Sequence, residues 1–186
     1  MPGEKLRLFV AVDVPRQHLE TIEAATAPLR AQWPDARWAP LDNQHITVKF
    51  LGSTDGDLRA QVDDVCRSVA QAHDRSSVSL TSLGAFPSAR RMRVLWIGLD
   101  DSANLLSRLA SGLDEGFASL GYRVEKRDFT AHLTLARWRV PIRVDVLPEV
   151  DLSGLHAWTV DRLALYRSRL SPRGATYELL EEFLLR

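Results

Sequence analysis

Asn43-Gln-His-Ile-Thr-Val-Lys-Phe-Leu-Gly52 is echoed further along the chain by His132-Leu-Thr-Leu-Ala-Arg137. Both stretches read histidine, apolar residue, threonine, apolar residue. On a β-strand, side chains two apart point to the same face. His45 and Thr47 are therefore expected to project together, with Ile46, Val48 and Phe50 on the opposite, core-facing side. His132 and Thr134 project together in the same way, with Leu133 and Leu135 opposite. One such strand alone reads more readily as a half-exposed sheet face with a polar outer side. Two copies, each following a helical segment and a short extended piece, predict two related halves whose imidazoles and hydroxyls meet in one cleft.

The flanking sequence supports that arrangement. Leu6 to Val14 reads as a buried strand closed by Pro15. Leu19, Ile22, Thr26, Leu29 and Trp33 form a helical stripe that ends at Pro34. Ala36 to Ala39 is a short strand, and Gly52 is expected to end the first motif strand. Helix-start chemistry over Ser53 to Asp57 precedes a helix carrying Leu58, Val62, Val65, Val69 and Ala72. Strands follow over Val78 to Ala85 and Val94 to Leu99. Asp101 or Ser102 caps a third helix, with Leu106, Leu109, Leu113, Phe117 and Leu120 on its stripe. Tyr122 to Lys126 and His132 to Arg137 read as strands, and a loop with Pro141 and Pro148 comes next. Trp158 to Leu170 and Thr176 to Leu184 read as a closing hairpin around Ser171-Pro-Arg-Gly-Ala. Strands outnumber helices and often adjoin in sequence, so the fold class is α+β with antiparallel sheets. No low-complexity linker divides residues 1–186, which predicts a single domain.

The chain has 186 residues, 45% of them hydrophobic and 26% charged. Those are ordinary values for a globular protein, so a core is available without staples. The one cysteine, Cys66, cannot make an internal disulfide and reads as a buried thiol in a reduced compartment. No stretch reaches the length of a membrane span, and the N-terminus lacks the apolar run of a signal peptide. A cytoplasmic monomer is expected. With 24 basic and 24 acidic side chains the net charge is zero. That balance argues against wholesale wrapping of nucleic acid. A locally basic cleft remains open. Residues 121 to 143 hold Arg123, Lys126, Arg127, Arg137, Arg139 and Arg143 against Glu125 and Asp128, and read either as such a cleft or as a solvated face.

Two histidines and two threonines around one small volume suit phosphodiester cleavage. Imidazole titrates near neutrality, so one ring can take a proton while the other gives one. Threonine hydroxyls can hold the non-bridging oxygens. No metal or cofactor is needed. His18, His73 and His156 stand outside the pattern and read as surface or packing residues. The residues do not decide which catalytic histidine is the acid.

At this point the sequence resembles a known family, the 2H phosphoesterases, and within it the RNA 2',3'-cyclic phosphodiesterases historically called 2'-5' RNA ligases. The resemblance covers nearly the whole chain. It includes Arg7-Leu-Phe-Val-Ala-Val-Asp-Val-Pro15 and both histidine motifs. It also takes in Leu83-Gly-Ala-Phe-Pro87 with Arg93-Val-Leu-Trp96, Leu165-Tyr-Arg-Ser-Arg-Leu170, and Tyr177-Glu. It implies a bilobal, pseudo-twofold fold with two antiparallel sheets flanking a central cleft and helices packed outside. It implies His45, Thr47, His132 and Thr134 as the catalytic set and Arg137 as a phosphate or nucleotide ligand. Phe9 becomes a candidate for stacking on the terminal base, or else a core aromatic. The implied substrate is RNA ending in a 2',3'-cyclic phosphate, or a small cyclic nucleotide. The implied product is a 2'-phosphate, with ATP-independent 2'-5' ligation as the reverse reaction. The expected roles are His132 as base toward water and His45 as acid toward the leaving 3' oxygen. A non-catalytic RNA-end-binding module of the same fold is the alternative. One departure is visible: the family often has proline before the second histidine, where this chain has Ala131.

Overall fold

The structure is a computed structural model that describes residues 4–172 and 174–186; Arg173 of the expected hairpin turn lies outside them. Two antiparallel sheets organise it. The first contains β1 (Lys5–Val12), β3 (Ile46–Asp55), β8 (Arg162–Ser171) and β9 (Gly174–Leu184), in the order β3-β1-β8-β9. The second contains β2 (Arg37–Trp38), β4 (Ser76–Phe86), β5 (Met92–Asp100), β6 (His132–Ile142) and β7 (Trp158–Val160), in the order β2-β6-β5-β4-β7. Three α-helices complete the described residues: α1 (Arg16–Gln32), α2 (Arg59–Gln71) and α3 (Leu105–Ala118).

The halves repeat. In the first, β1 leads through α1 to β3, its antiparallel neighbour; in the second, β5 leads through α3 to β6, likewise its neighbour. The order β3-β1-β8-β9 thus matches β6-β5-β4-β7 strand for strand. Helices α1 and α3 each reach the other half's sheet. His18 of α1 meets Trp158 edge-on at 5.2 Å, and Trp33, just past α1, meets Trp138 at 5.7 Å. Asp114 of α3 pairs with Lys49 of β3.

The core is a continuous apolar cluster that includes Leu8, Ile22, Ile46, Leu109, Leu113, Phe117, Leu133 and Leu165, all fully buried. Cys66 is part of it, and burial pushes its thiol up to about 12. Helices α2 and α3 approach closely because Gly116 has no side chain: a Cβ there would lie 2.5 Å from Val65. The third helix begins at Leu105 with Asn104, and not Asp101 or Ser102, in the N-cap position, but Asp101 supplies the capping carboxylate. The Asp101 carboxylate accepts from the backbone N–H groups of Leu105 (2.9 Å) and Leu106 (2.7 Å). It thereby satisfies donors left open at a helix start. No helix among the described residues is long and apolar enough to cross a membrane.

Four expectations are corrected. Tyr122 to Lys126 is not a strand. Residues 123–128 are all exposed, so the segment buries no face. Its backbone groups are met by side chains instead of a ladder: the Arg123 carbonyl accepts from Lys49 Nζ at 3.1 Å, and the Glu125 carboxylate accepts from the Lys126 N–H at 2.9 Å. Pro141 lies inside β6, not in a loop. The pairing with β2 reaches only Ala136 and Arg137, so one side of β6 is an edge beyond them. An edge tolerates a residue without an N–H. The predicted strand from Trp158 to Leu170 divides at Asp161: β7 joins the second sheet and β8 the first. Lastly, β3 continues past Gly52 to Asp55, so Ser53 and Thr54 belong to a strand and not to a helix start.

Candidate active site

The two sheets face each other across a cavity of about 570 Å³. His45, Thr47, His132, Thr134, Arg137 and Phe9 all line it, so every site residue expected from the sequence is brought together there. His45 directly precedes β3, and His132 opens β6. The alternation that places His with Thr holds in both halves, since Ile46, Val48, Leu133 and Leu135 are buried.

Alternation then breaks at the same offset in each half. On β1, Val10 pairs with Lys49 and Ala11 with Thr47, leaving Val48 as an extra, bulged residue. On β5, Leu95 pairs with Ala136 and Trp96 with Thr134, leaving Leu135 as the extra residue. A bulge shifts every later side chain to the opposite face. Phe50 therefore does not point into the core as expected; it is 50% exposed and lines the cavity. Arg137, five residues past His132, is turned to the cavity by the equivalent bulge. Lys49 is turned inward, is 8% exposed, and is neutralised by Asp114.

Each imidazole is held by the backbone group two residues before it. His132 Nδ1–H donates to the Thr130 carbonyl at 2.7 Å. That bond leaves Nε2 for chemistry. His45 is bonded to the Asn43 backbone, and its Nε2 lies 3.0 Å from Thr47 Oγ1. Arg137 donates to Thr134 Oγ1 at 3.4 Å. Burial pushes His45 down to about 4; the charges of Arg137 and His132 add to this, against the Asn43 bond. His132 is lowered too, by burial first and then by Arg137, against its bond to Thr130. Arg137 acts on both rings and His132 on His45, so the two imidazoles share one electrostatic environment.

The walls around the rings differ. Phe9 stacks on His45 at 4.7 Å, Tyr177 meets it edge-on at 5.1 Å, and Tyr166 lies parallel at 6.2 Å. Tyr166 O–H donates to Asp13 Oδ1 at 2.8 Å, which fixes that ring. His132 meets Phe86 edge-on at 5.0 Å and Trp96 at 5.9 Å. Phe9 is only 3% exposed, and its ring contacts are His45, Tyr166 and Tyr177. The structure thus gives Phe9 the place of a support beneath His45.

Several lining residues were not anticipated: Arg7, Arg37, Trp38, Asn43, Phe50 and Tyr177. Arg7 had a readable signal, because it lies on the face of β1 opposite Leu6, Leu8 and Val10. Its guanidinium covers the Phe50 ring at 4.6 Å. Phe50 was hidden by the bulge, and Arg37 and Trp38 by the shortness of β2. Among the described lining residues there are three arginines and no carboxylate. A cavity of that charge suits an anion. No cluster of three or more His, Cys, Asp or Glu that could hold a metal ion occurs among the described residues. His18 and His156 lie away from the cavity, bound to each other through His18 Nε2 and the His156 carbonyl at 2.8 Å.

Comparison with known proteins finds relatives over nearly the whole chain. The profile of the 2'-5' RNA ligase superfamily matches residues 12–171. A protein of Methanothermobacter thermautotrophicus named RNA 2',3'-cyclic phosphodiesterase is 32% identical, over 97% of this chain and 100% of its own. A protein of that name from Thermus thermophilus is also 32% identical, over 97% of this chain and 91% of its own. Among solved structures, TT0787 of Thermus thermophilus superposes with a TM-score of 0.80 at 28% identity, covering 97% of this chain and 98% of that one. E. coli LigT complexed with 3'-AMP superposes with a TM-score of 0.81 at 25% identity, covering 98% and 99%.

Proposed function

The chain belongs to the 2'-5' RNA ligase superfamily, and on that premise we propose that it hydrolyses a terminal 2',3'-cyclic phosphate of RNA to a 2'-phosphate. The observation that carries this reading is the convergence of both His-x-Thr pairs on one arginine-lined cavity with no carboxylate among its described lining residues. Relatives named RNA 2',3'-cyclic phosphodiesterase span nearly the full chain and support the substrate class.

In the proposed reaction a water oxygen attacks phosphorus and the bond from phosphorus to O3' breaks. His132 takes the proton of the water, and His45 gives one to O3'. Burial holds both rings below the usual imidazole range, so the acid's proton must be held there by the substrate. The surroundings that disfavour a lone imidazolium also strengthen its attraction to a phosphate anion. The more deeply depressed ring, His45, gains most from that attraction, which suits it to be the acid. Thr47 and Thr134 hold the non-bridging oxygens, and Arg137 adds charge where it accumulates. Phe50, the exposed aromatic of the cavity, offers a face to the terminal nucleoside. If a 5'-hydroxyl replaces water as the nucleophile, the P–O3' bond breaks in the same way and the two ends are joined through a 2'-5' linkage without ATP.

The test is a product assay on a short RNA with a 2',3'-cyclic end, in the presence of EDTA. Formation of a 2'-phosphate is expected, with chelator having no effect. Exclusive formation of a 3'-phosphate would reverse the assigned leaving group. Tight binding of the RNA with no product would instead identify a binding module.

A further inference from the structure

Arg37 is the Cα partner of Arg137 across β2 and β6, and both line the cavity. Residues directly opposite on antiparallel strands share a face, and like charges in that position repel each other. Among the described residues the Arg37 side chain has no hydrogen bond and no carboxylate partner, and the Arg137 side chain has only its contact with Thr134. No acidic side chain among the described lining residues neutralises the two. The pair is therefore left uncompensated in a cavity shaped to receive an anion.

The second charge is more than the reacting phosphate requires. Arg137 already reaches the threonine that faces that phosphate. Arg37 lies on β2, the outermost strand of its sheet. That sets it to the side of Arg137, one strand spacing of about 4.8 Å across the sheet and off the strand that carries His132. A guanidinium there is set for the next phosphate along a nucleic-acid backbone. Trp38 beside it lines the same wall, with the Arg30 guanidinium 4.9 Å from its ring.

Building on the proposed function, we propose that Arg37 binds the phosphate on the 5' side of the terminal nucleotide, so that the site recognises the end of a strand in preference to a free cyclic mononucleotide. In RNA this group is the phosphodiester that joins the last nucleotide to the chain. With one phosphate at Arg137 and one at Arg37, the repulsion between the guanidiniums is offset.

The test measures affinity and does not depend on turnover. The probes are adenosine 2'-monophosphate and adenosine 2',5'-bisphosphate, whose 5'-phosphate stands in for the phosphodiester. The wild-type protein is expected to bind the bisphosphate about tenfold more tightly or better, the size of a charge-assisted hydrogen bond. In Arg37→Gln that ratio should fall towards one, and Arg37→Lys should restore part of it. Arg137→Gln should weaken both ligands and keep the preference. A wild-type ratio near one, or an unchanged ratio in Arg37→Gln, overturns the assignment. Equal weakening of both ligands in Arg37→Gln also overturns it, placing Arg37 on the reacting phosphate. Failure of the hydrolase reading shows separately, as absence of product from a cyclic-ended RNA while the bisphosphate preference persists.

Discussion

The strand that carries His45 and the strand that carries His132 share a backbone design and differ in their surroundings. Both have His-x-Thr, a bulge three residues after the histidine, and an anchoring backbone group two residues before it. The residue each bulge turns into the cavity is Phe50 in one half and Arg137 in the other. His45 stands among Phe9, Tyr166 and Tyr177, and His132 between Phe86 and Trp96. In the proposed reaction the duplicated geometry supplies two proton-transfer groups, while side chains outside the motif give the cavity one aromatic wall and one cationic one. If the halves are equal partners in chemistry, His45→Ala and His132→Ala should each lower turnover of a cyclic-ended RNA by roughly 10²–10⁴-fold. A variant of either histidine that keeps near-normal turnover breaks the symmetry and leaves one ring as scaffold.

The next effect is one of stability and separates the halves. The His45 imidazole has a folded-state pKa of about 4 against an ordinary value of 6.5. Between those values the unfolded chain binds a proton that the folded protein does not. Stability therefore falls as pH drops from about 6.5 to about 4, by up to roughly 3 kcal/mol from this ring alone. Denaturant midpoints at about pH 7.5 and about pH 4.5, which bracket most of that window, should differ less in His45→Gln than in the wild type. His132→Gln should flatten the dependence by a smaller amount. An identical acid loss in all three proteins would remove the burial argument.

The walls give a smaller contrast. Arg137→Gln is expected to lower kcat/KM by about 10- to 100-fold, the range for a lost charged hydrogen bond. Phe50→Ala should raise KM by roughly fivefold or more through lost base stacking. Because one effect is ionic and the other is not, raising salt should narrow the gap between wild type and Arg137→Gln but leave the Phe50→Ala gap unchanged. Equal salt sensitivity of the two gaps would argue against a division into anionic and apolar walls.

How much of this could be read in the sequence follows from the physics of strands. A period of two fixes which residues of His45-Ile-Thr share a face, so the convergence of the two His-x-Thr pairs on one cavity was legible, and so was the α+β class. A bulge adds one residue and needs no glycine or proline to mark it. Neither Val48 nor Leu135 differs from its neighbours in kind, so Phe50 was placed on the wrong side. Arg37 and Tyr177 come from strands of different sheets and line one cavity only when the sheets face each other, a non-local event with no local pattern. Tyr122 and Val124 sit two apart as on a strand, but Val124 is 49% exposed and the segment buries no face. The break at Asp161 left no signal either, because both β7 and β8 are strands and only their partners differ.

Phe9 gives the finest distinction between the halves, since it can belong to the substrate or to the histidine. Its ring lies 4.7 Å from His45 at an interplanar angle of 25°, and it is 3% exposed. A base stacking on it would need an open face, whereas a support for His45 needs the burial that is observed. Aromatic pairs of this kind contribute about 1 kcal/mol beyond their buried area, equivalent to roughly a fivefold change in rate. Phe9→Leu keeps the volume apolar and removes the stack. It should lower kcat by that modest factor and shift the acid limb of the pH–rate profile, with the smaller change in KM. A rise in KM that is larger for purine than for pyrimidine ends, with kcat held, would return Phe9 to the substrate and leave His45 supported by Tyr166 and Tyr177.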